Sequence, residues 1–289
     1  MKEQMPVTRM SSVEPLSLAV ALLAIASGCV DTEREFCARG IRYSRLERKH
    51  PRPLRIHVLR IDLKEPGLAP CIDVGPDPDG AGSAETTLAL PLVHAQRGRF
   101  LAGVNANAWD MVPPTPNGER PRYVPDAACN ICGWALVSGV EHSLPQSGYW
   151  SFWLDRNLEP HVGNIATPAP GAHWAVSGFG GLLQGGKVLP GPSDVLHPRT
   201  ALGVDGRGRY LTLAVVDGRR PGYSEGLSER ELAELMRELG CSDALNLDGG
   251  GSSVMVLRDR SGALRIANRP SDLSGPRPIP ILFGVRSNP

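Results

Sequence analysis

The fold is decided by residues 210–253, which read YLTLAVVDGRRPGYSEGLSERELAELMRELGCSDALNLDGGGSS. Apolar runs at 210–216 and 244–248 predict two strands, with one amphipathic helix between them. A capping box predicts that the helix begins after Ser228, and Gly240 ends it. A strand, a crossover helix and a second strand predict a βαβ unit with two parallel strands.

An aspartate follows each of these strands, Asp217 after the first and Asp248 at the end of the second. Parallel strands end at the same edge of a sheet, and open α/β sheets bind ligands there. Asp248 is followed by the glycines 249–251 and two serines. Glycines let the backbone approach a ligand, and their amides can form a nest for an anion. A tight hairpin is the alternative, but it needs fewer glycines, so we predict a functional site at this edge.

Short β-like runs extend on both sides of this unit, and no internal repeat or later composition shift divides the chain. The fold class predicted is therefore α+β, a single domain over residues 53–287. It should have a mixed, largely antiparallel β-sheet that contains at least one βαβ unit and is flanked by helices. The other predicted strands are 54–63, 100–106, 134–138, 150–155, 252–257 and 281–285.

Composition excludes several classes of protein. The 289 residues are 41% hydrophobic and 21% charged, which is typical of a folded globular chain and not of a disordered one. The 33 glycines and 27 prolines imply many turns and disfavour a helical bundle. A net charge of +1 provides no field to hold a polyanion, so no nucleic acid partner is expected.

The N-terminus predicts export. Residues 16–25 are an apolar run that is too short for a membrane-spanning helix, and residues 1–28 are predicted to be a signal peptide. Small residues lead into Cys29, which resembles the lipobox of bacterial lipoproteins, where the cysteine is lipidated. We therefore expect a protein lipid-anchored in the bacterial cell envelope, facing the periplasm or the exterior. An ordinary, nearby signal cleavage is the alternative. The polar, arginine-rich residues 29–52 are predicted to be a tether.

Export also affects the cysteines, because thiols outside the cytoplasm tend to oxidise. Cys129 and Cys132 form a single CxxC pair. The sequence offers neither a second pair for zinc nor a strand-to-helix junction for a redox dithiol. A structural disulfide is therefore predicted, with its pairing left open.

Six motifs, in order along residues 53–287, together resemble the phosphodiester glycosidase family, of which this chain would be a bacterial member. The best-known activity of that family is the removal of N-acetylglucosamine from a phosphodiester. The first motif departs from the family at Asn107 and Ala108, where a glycine and an aromatic residue are common, and this bears on which sugar is bound. The motifs are NANAWD (105–110), SGFGGLL (177–183), HPRTALGV (197–204), VDGR (216–219), GLSERELA (226–233) and NLDGGGSS (246–253).

The resemblance implies a hydrolase that cleaves the glycosidic bond of a sugar-1-phosphodiester, such as an N-acetylglucosamine α-1-phosphodiester. Asp248 would act at the anomeric carbon, with Asp110 or Asp217 as the second carboxylate. Arg199 would grip the phosphate as a bidentate fork. The predicted substrate-binding residues are Asn105, Asn107, Trp109, Thr200, Asn246, Gly249, Gly250, Gly251, Ser252 and Ser253.

Two alternatives stay open. One is a metal-dependent phosphodiesterase that acts on the same substrates, and the other is a non-catalytic lipoprotein that binds envelope carbohydrate. Carboxylates and phosphate oxygens would suit a divalent cation such as calcium or magnesium, although no compact acidic loop specifies one.

Overall fold

A computed structural model describes residues 29–30, 38–80, 82–114, 119, 122–191 and 193–288. The predicted signal peptide, residues 1–28, and Cys37 lie outside the described residues. Within the described ranges, no helix is long and apolar enough to span a membrane.

The described chain forms strands, two α-helices and a 3₁₀ turn. In chain order these are β1 (Cys29–Val30), β2 (Ile41–Arg48), β3 (Leu54–Asp62), β4 (Leu68–Val74), β5 (Thr86–Thr87), α1 (Pro91–Arg97), β6 (Phe100–Asn105), β7 (Trp109–Met111), β8 (Ala128–Ile131), β9 (Ala135–Val137), β10 (Val140–Ser143), β11 (Trp150–Asp155), β12 (Pro160–Gly163), β13 (Ala172–Gly178), β14 (Gly180–Gln184), β15 (Lys187–Val188), β16 (Arg199–Val204), β17 (Tyr210–Val216), α2 (Glu229–Glu238), β18 (Asp243–Asn246), the 3₁₀ turn (Gly250–Ser252), β19 (Met255–Arg258), β20 (Leu264–Ile266) and β21 (Ile281–Ser287).

The eight-stranded sheet contains the segment that decides the fold. Its order is β1-β2-β3-β17-β16-β18-β14-β15, and each neighbouring pair is antiparallel. Helix α2 connects β17 to β18, which run in the same direction because β16 is antiparallel to both. The two strands are therefore not hydrogen-bonded neighbours, since β16 occupies the position between them. The prediction of a largely antiparallel sheet is confirmed, whereas a mixed sheet is wrong for the ladders in the described ranges.

The ends of β17 and β18 nevertheless lie at one edge of this sheet. Arg199, the first residue of β16, pairs with Val216 at the end of β17. Two residues further, Ala201 pairs with Asn246 at the end of β18. The loops that follow both strands therefore leave the sheet beside the start of β16.

Three other sheets complete the fold. A five-stranded sheet has the order β20-β19-β6-β21-β4, a second has β10-β9-β13-β11-β12, and β5-β8-β7 form a small one. The main core lies between the eight-stranded sheet and the two five-stranded sheets. Helix α2 covers the outer face of the eight-stranded sheet, and α1 packs with the outer face of the β6-containing sheet. Each predicted strand overlaps an observed one.

Strand β3 shows how the sequence builds these layers. Ile56 and Val58 lie in the cluster with α2, whereas Leu59 and Ile61 lie in the main core. The two-residue period of a strand places these sets on opposite faces of the sheet. The capping box at Ser228 is present as predicted and fixes the start of α2.

Part of the predicted tether is folded. Residues 41–48 form β2, which pairs with β3 along its whole length. Ile41 and Tyr43 are buried in the main core, while Arg42 between them is exposed. The arginines hid this alternation in the sequence, because Arg42 and Arg48 lie on the opposite face and Arg45 interrupts the face of Ile41 and Tyr43. The fold therefore extends to the N-terminal side of residue 53.

The cysteines also differ from the prediction. Cys71, Cys129, Cys132 and Cys241 are free, buried thiols, so no disulfide joins these four. Cys129 lies in β8 and Cys132 follows it directly. Three extended residues span roughly 10 Å, which is beyond the reach of a disulfide.

Candidate active site

A pocket of about 300 Å³ opens at the sheet edge where β17 and β18 end. It draws residues from the start of β16, the loop after β17, the end of β18 and more distant loops. The lining residues are Tyr123, Phe179, His197, Pro198, Arg199, Arg219, Asn246, Leu247, Asp248, Gly249, Gly250, Gly251 and Arg277.

Asp248 is the half-buried carboxylate of this pocket. Its Oδ1 accepts a hydrogen bond from the Gly249 amide at 2.8 Å, and its backbone carbonyl accepts one from Asn105 Nδ2 at 2.6 Å. Burial raises the pKa of Asp248 to about 6, although the Ser252 hydroxyl, Arg277 and the Gly249 amide partly offset that rise. A carboxyl group with this pKa can exchange a proton near neutral pH.

A second carboxylate, that of Asp110, contacts Cys132 and is not part of the pocket lining. Asp110 is exposed, and its Oδ2 accepts a hydrogen bond from the Cys132 thiol at 3.7 Å. Burial raises the pKa of Cys132 to about 11, and the charges of Asp110 and Asp248 both act in the same direction. The same two carboxylates help burial and Cys132 to raise the pKa of Tyr149. Cys132 and Tyr149 therefore both feel the charges of Asp110 and Asp248.

Arg277 forms one cationic wall of the pocket. Its Nε and Nη2 donate to the carboxylate of Asp272 at 2.9 and 3.2 Å, and its guanidinium lies 4.5 Å from the ring centre of Tyr123. A Cβ atom at Gly251 would stand 2.1 Å from Arg277 Nη2. Glycine is required at 251 because any side chain there would displace Arg277.

Arg219 supplies a second, exposed cation. Its backbone adopts a φ of +58°, which is uncommon for a residue with a side chain. Arg219 Nη2 lies 3.2 Å from His197 Nδ1. Burial lowers the pKa of His197, and the positive charges of Arg219 and Arg199 lower it further. The neutral imidazole can therefore accept a hydrogen bond from Arg219.

Arg199 lies in the pocket wall, but its donors are used elsewhere. Nε donates to Leu227 O at 2.9 Å, Nη1 to Glu229 Oε1 at 3.4 Å and Nη2 to Val195 O at 3.1 Å. Three of its five N–H donors thus bond to the protein and its side chain is only 7% exposed, so most of the bidentate fork expected from the sequence is already occupied. Arg199 instead fastens the start of β16 to the segment around α2.

The glycine loop also differs from the expected anion nest. The Gly249 amide donates to Asp248 Oδ1, and the Gly250 amide donates to Pro198 O at 2.9 Å. Two of the three amides are therefore engaged within the protein. The loop can make its tight 3₁₀ turn because Gly250 has a φ of +62°.

Five of the predicted substrate-binding residues are buried and do not line the pocket: Asn105, Asn107, Thr200, Ser252 and Ser253. Asn105 Oδ1 accepts hydrogen bonds from Thr200 Oγ1 at 2.8 Å and from the Val254 amide at 3.1 Å. Asn105 also donates a hydrogen bond to the Asp248 carbonyl. The hydrogen-bonded Asn105 and Thr200 therefore hold the backbone of Asp248 in place. Asn107 donates to two backbone carbonyls, those of Cys132 and Trp134.

The other predicted residues include some that line the pocket and some that do not. Asn246 lines the pocket, and its buried Oδ1 has no hydrogen-bond partner among the residues that the structure describes. Ser252 ends the 3₁₀ turn, Ser253 follows it, and both are buried. Trp109 is half-buried and packs edge-on to Tyr123, with 5.4 Å between ring centres.

Asp217 does not line the pocket. It is 1% exposed, and its carboxylate accepts hydrogen bonds from Asn268, Arg269 and Tyr223. Of the three predicted carboxylates, only Asp248 lines the pocket, and the buried, fully hydrogen-bonded Asp217 is not placed to act at the anomeric carbon.

The residues present do not fit the calcium or magnesium site considered from the sequence. Within the described ranges, no three His, Cys, Asp or Glu side chains form a group that could hold a metal ion. No chemical step is therefore assigned to a metal.

Sequence reasoning missed Arg219, Arg277, Tyr123 and Phe179 as lining residues. Arg219 stands two positions after Asp217 in the VDGR motif. The motif therefore indicated a functional segment, but the role was assigned to the aspartate and not to the arginine. Phe179 belongs to another quoted motif, and it is 48% exposed in the pocket. Tyr123 carries no local signal, because it comes from a loop distant in sequence.

An antiparallel β domain whose pocket is lined by the Asp248 carboxylate and by several arginines has a site that suits an anionic substrate. The chain belongs to the phosphodiester glycosidase family, whose model matches residues 133–286, just over half of its length. Membership in this family indicates a hydrolase of the phosphodiester glycosidase kind.

A relative from Mus musculus, named N-acetylglucosamine-1-phosphodiester alpha-N-acetylglucosaminidase, is 42% identical over 79 residues. The match covers 27% of this chain and only 14% of the mouse protein.

Solved structures share the fold. The catalytic domain of the zebrafish enzyme of the same name, auto-inhibited by its pro-peptide, matches with a TM-score of 0.61 and 21% identity over 86% of this chain and 82% of that one. A hypothetical protein from Synechocystis matches with a TM-score of 0.61 and 14% identity, covering 86% and 62% of the two chains. A protein from Burkholderia pseudomallei, named as a candidate exported protein, has a TM-score of 0.51 and 18% identity, covering 81% and 74%.

Proposed function

We propose that this protein hydrolyses the bond between C1 of a sugar and the oxygen of a phosphodiester, with an N-acetylglucosamine α-1-phosphodiester as the reference substrate. The observation that carries this proposal is that Asp248, with a pKa of about 6, shares one pocket with Arg219 and Arg277. Family membership and the name of the mouse relative support the same reaction.

The arginines would bind the phosphate that leaves. A phosphate monoester is a stable anion, so its departure needs charge neutralisation more than protonation. The exposed guanidinium of Arg219 is the main cation for this role. Arg277 adds positive charge, although its side chain is 20% exposed and its Nε and Nη2 donate to Asp272. Arg199 would act chiefly by holding the start of β16.

Asp248 would act at the anomeric carbon. Above pH 6 its carboxylate is ionised, and it can attack C1 or take a proton from water that attacks C1. In either case the C1–O bond breaks, the sugar gains the hydroxyl of water, and the phosphate keeps its oxygens and gains a proton. Asp110, beside Cys132, is the second carboxylate of this pair.

The sugar would lie against the aromatic side of the pocket. Phe179 exposes about half of its surface there and packs on Tyr149, with 6.0 Å between ring centres. An exposed ring can stack on the apolar face of a sugar. The unpartnered Oδ1 of Asn246 can accept a hydrogen bond from a sugar hydroxyl.

Hydrolysis in water labelled with ¹⁸O tests the reaction. The substrate is the methyl phosphodiester of N-acetylglucosamine, and the phosphate product is analysed by mass spectrometry, because a free anomeric hydroxyl exchanges with water and would mislead. Unlabelled methyl phosphate supports the proposal. Label in the phosphate would instead establish a phosphodiesterase, and absence of turnover with wild-type protein but binding of envelope carbohydrate would favour the non-catalytic alternative.

We also propose that one exported domain, whose sheet begins at β1, is anchored through lipidated Cys29. The apolar run at 16–25 and the small residues before Cys29 support this location. In the bacterial host, Cys29→Ser should move the protein from the membrane fraction to the soluble exported fraction. Cys241→Ser, which alters a buried thiol of the domain, is the control and should stay with the membrane. Equal partition of wild type and Cys29→Ser would refute the anchor.

A further inference from the structure

We propose that Asp217 is a positioning residue that holds together the three segments from which the pocket takes Arg219, Asp248 and Arg277. Its consequence for catalysis rests on the proposed function, whereas its effect on the three segments does not. Asp217 lies at the end of β17, is buried, and does not line the pocket.

The carboxylate of Asp217 is surrounded by donors from elsewhere in the chain. Oδ1 accepts from Asn268 Nδ2 and from the Arg269 amide, both at 3.0 Å. Oδ2 accepts from the Tyr223 hydroxyl at 3.2 Å, and His57 Nε2 lies 3.7 Å away. A buried carboxylate with this many partners fixes the relative positions of the groups that bond to it.

The first segment is the turn that carries Arg219. The Asp217 carbonyl accepts a hydrogen bond from Ser224 Oγ at 2.6 Å, which closes the turn on itself. The ring of Tyr223 is in contact with two guanidinium groups, those of Arg55 at 5.3 Å and Arg269 at 5.2 Å. Such anchoring is needed because the positive φ of Arg219 is strained and persists only where the surroundings enforce it.

The second and third segments meet at Asn268. Its Nδ2 donates to the Ser253 carbonyl at 3.0 Å, and its Oδ1 accepts from the Met255 amide at 2.9 Å. These bonds fix the end of the glycine loop that begins after Asp248. Arg269, bonded through its amide to Asp217, begins the stretch that leads to Arg277.

A carboxylate is needed at 217 because the donors converge on both of its oxygens. Asparagine would keep one acceptor oxygen but turn an NH₂ group toward the other donors. Alanine would leave the Asn268, Arg269 and Tyr223 donors unpaired in a buried place. The three segments should then loosen independently, and the two arginines should lose their fixed separation.

Hydrogen exchange and phosphate binding together test this inference. The variants are Asp217→Ala and Asp217→Asn in the full domain, and inorganic phosphate is the probe for the arginines. The control is Asp205→Ala at the opposite end of β17, where Asp205 Oδ1 accepts from the Arg209 and Tyr210 amides at 2.8 Å. Melting temperature is measured for each variant, so that general destabilisation can be compared.

In Asp217→Ala, amide exchange at 218–224 and 268–270 should accelerate, and phosphate should bind roughly tenfold more weakly. Asp217→Asn should show both effects to a smaller degree, and it decides the question if the alanine variant does not fold. Asp205→Ala should show neither effect. If the Asp217 variants matched Asp205→Ala in exchange and in phosphate affinity, Asp217 would be an ordinary structural residue. If wild type bound no phosphate, the proposed arginine site would fail, and exchange alone would still decide the role of Asp217.

Discussion

Replacing Asp248 by asparagine should remove activity and stabilise the fold at the same time. The carboxyl pKa rises from its usual 3.8 to about 6 in the folded chain, mainly because of burial. The folded state therefore holds this proton more tightly than the unfolded state does. The protonated carboxyl therefore stabilises the folded state fully below pH 3.8, and this stabilisation is lost as the pH rises toward 6.

The size of this effect follows from the pKa. Full ionisation of such a carboxyl costs the folded protein about 3 kcal/mol at neutral pH. Asp248 is only half-buried, so solvent screening reduces the expected gain of Asp248→Asn to about 1 to 3 kcal/mol. Turnover should fall by about 10² or more, because the neutral amide can neither attack C1 nor accept a proton from water.

Urea unfolding at pH 7.5 and at pH 4 measures the effect. The variant should exceed wild type in free energy of unfolding at pH 7.5, and the difference should shrink to below about 1 kcal/mol at pH 4. Asp110→Asn is the matched control, because Asp110 is exposed and its replacement should change stability by less than about 0.5 kcal/mol. A variant less stable than wild type at both values of pH would refute the interpretation of Asp248 as a destabilising buried charge.

Three further predictions concern the same pocket and its surroundings. With Asp248 as the ionised group, kcat/KM should fall about tenfold for each pH unit below 6, and a profile flat to pH 4.5 would contradict that role. Arg219→Lys should weaken phosphate binding and lower kcat/KM because the planar fork is lost, whereas Arg199→Lys should mainly lower the melting temperature, since its nitrogens bond to the protein. Alkylation of unreduced, denatured protein followed by mass spectrometry should find Cys129 and Cys132 as free thiols that react slowly in the native state, where burial raises their pKa values to about 12 and about 11; recovery of a linked pair would show the structure wrong on this point.

Local sequence rules predicted the parts of the fold that depend on neighbouring residues. Helix α2 follows from its capping box and its apolar face, and β17 follows from its continuous apolar run. The insertion of β16 between β17 and β18 was not predictable in this way, because it depends on which distant strands pair. The strand at 41–48 was missed because it holds as many arginines as apolar residues, although only one face of the strand needs to be apolar.

The residues of the candidate site were likewise predictable only where their signal is local in the sequence. Asp248 could be found because a charged residue and three glycines directly follow a strand. Arg199 was expected to bind phosphate because of its residue type and motif, but its donors meet carbonyls and a carboxylate that come from other parts of the chain. Arg277 reaches the pocket only because Gly251 leaves room for it, and no sequence rule relates those two positions.

The position of β21 has a consequence for how the chain reaches its folded state. This strand, residues 281–287, is an interior strand of its sheet and lies between β6 and β4. Residues more than 170 positions apart in sequence must therefore meet before the sheet can close, and such non-local pairing makes folding slow. A chain that is still emerging from the ribosome lacks this interior strand and cannot complete the sheet. Folding is thereby delayed until residues 281–287 have been released.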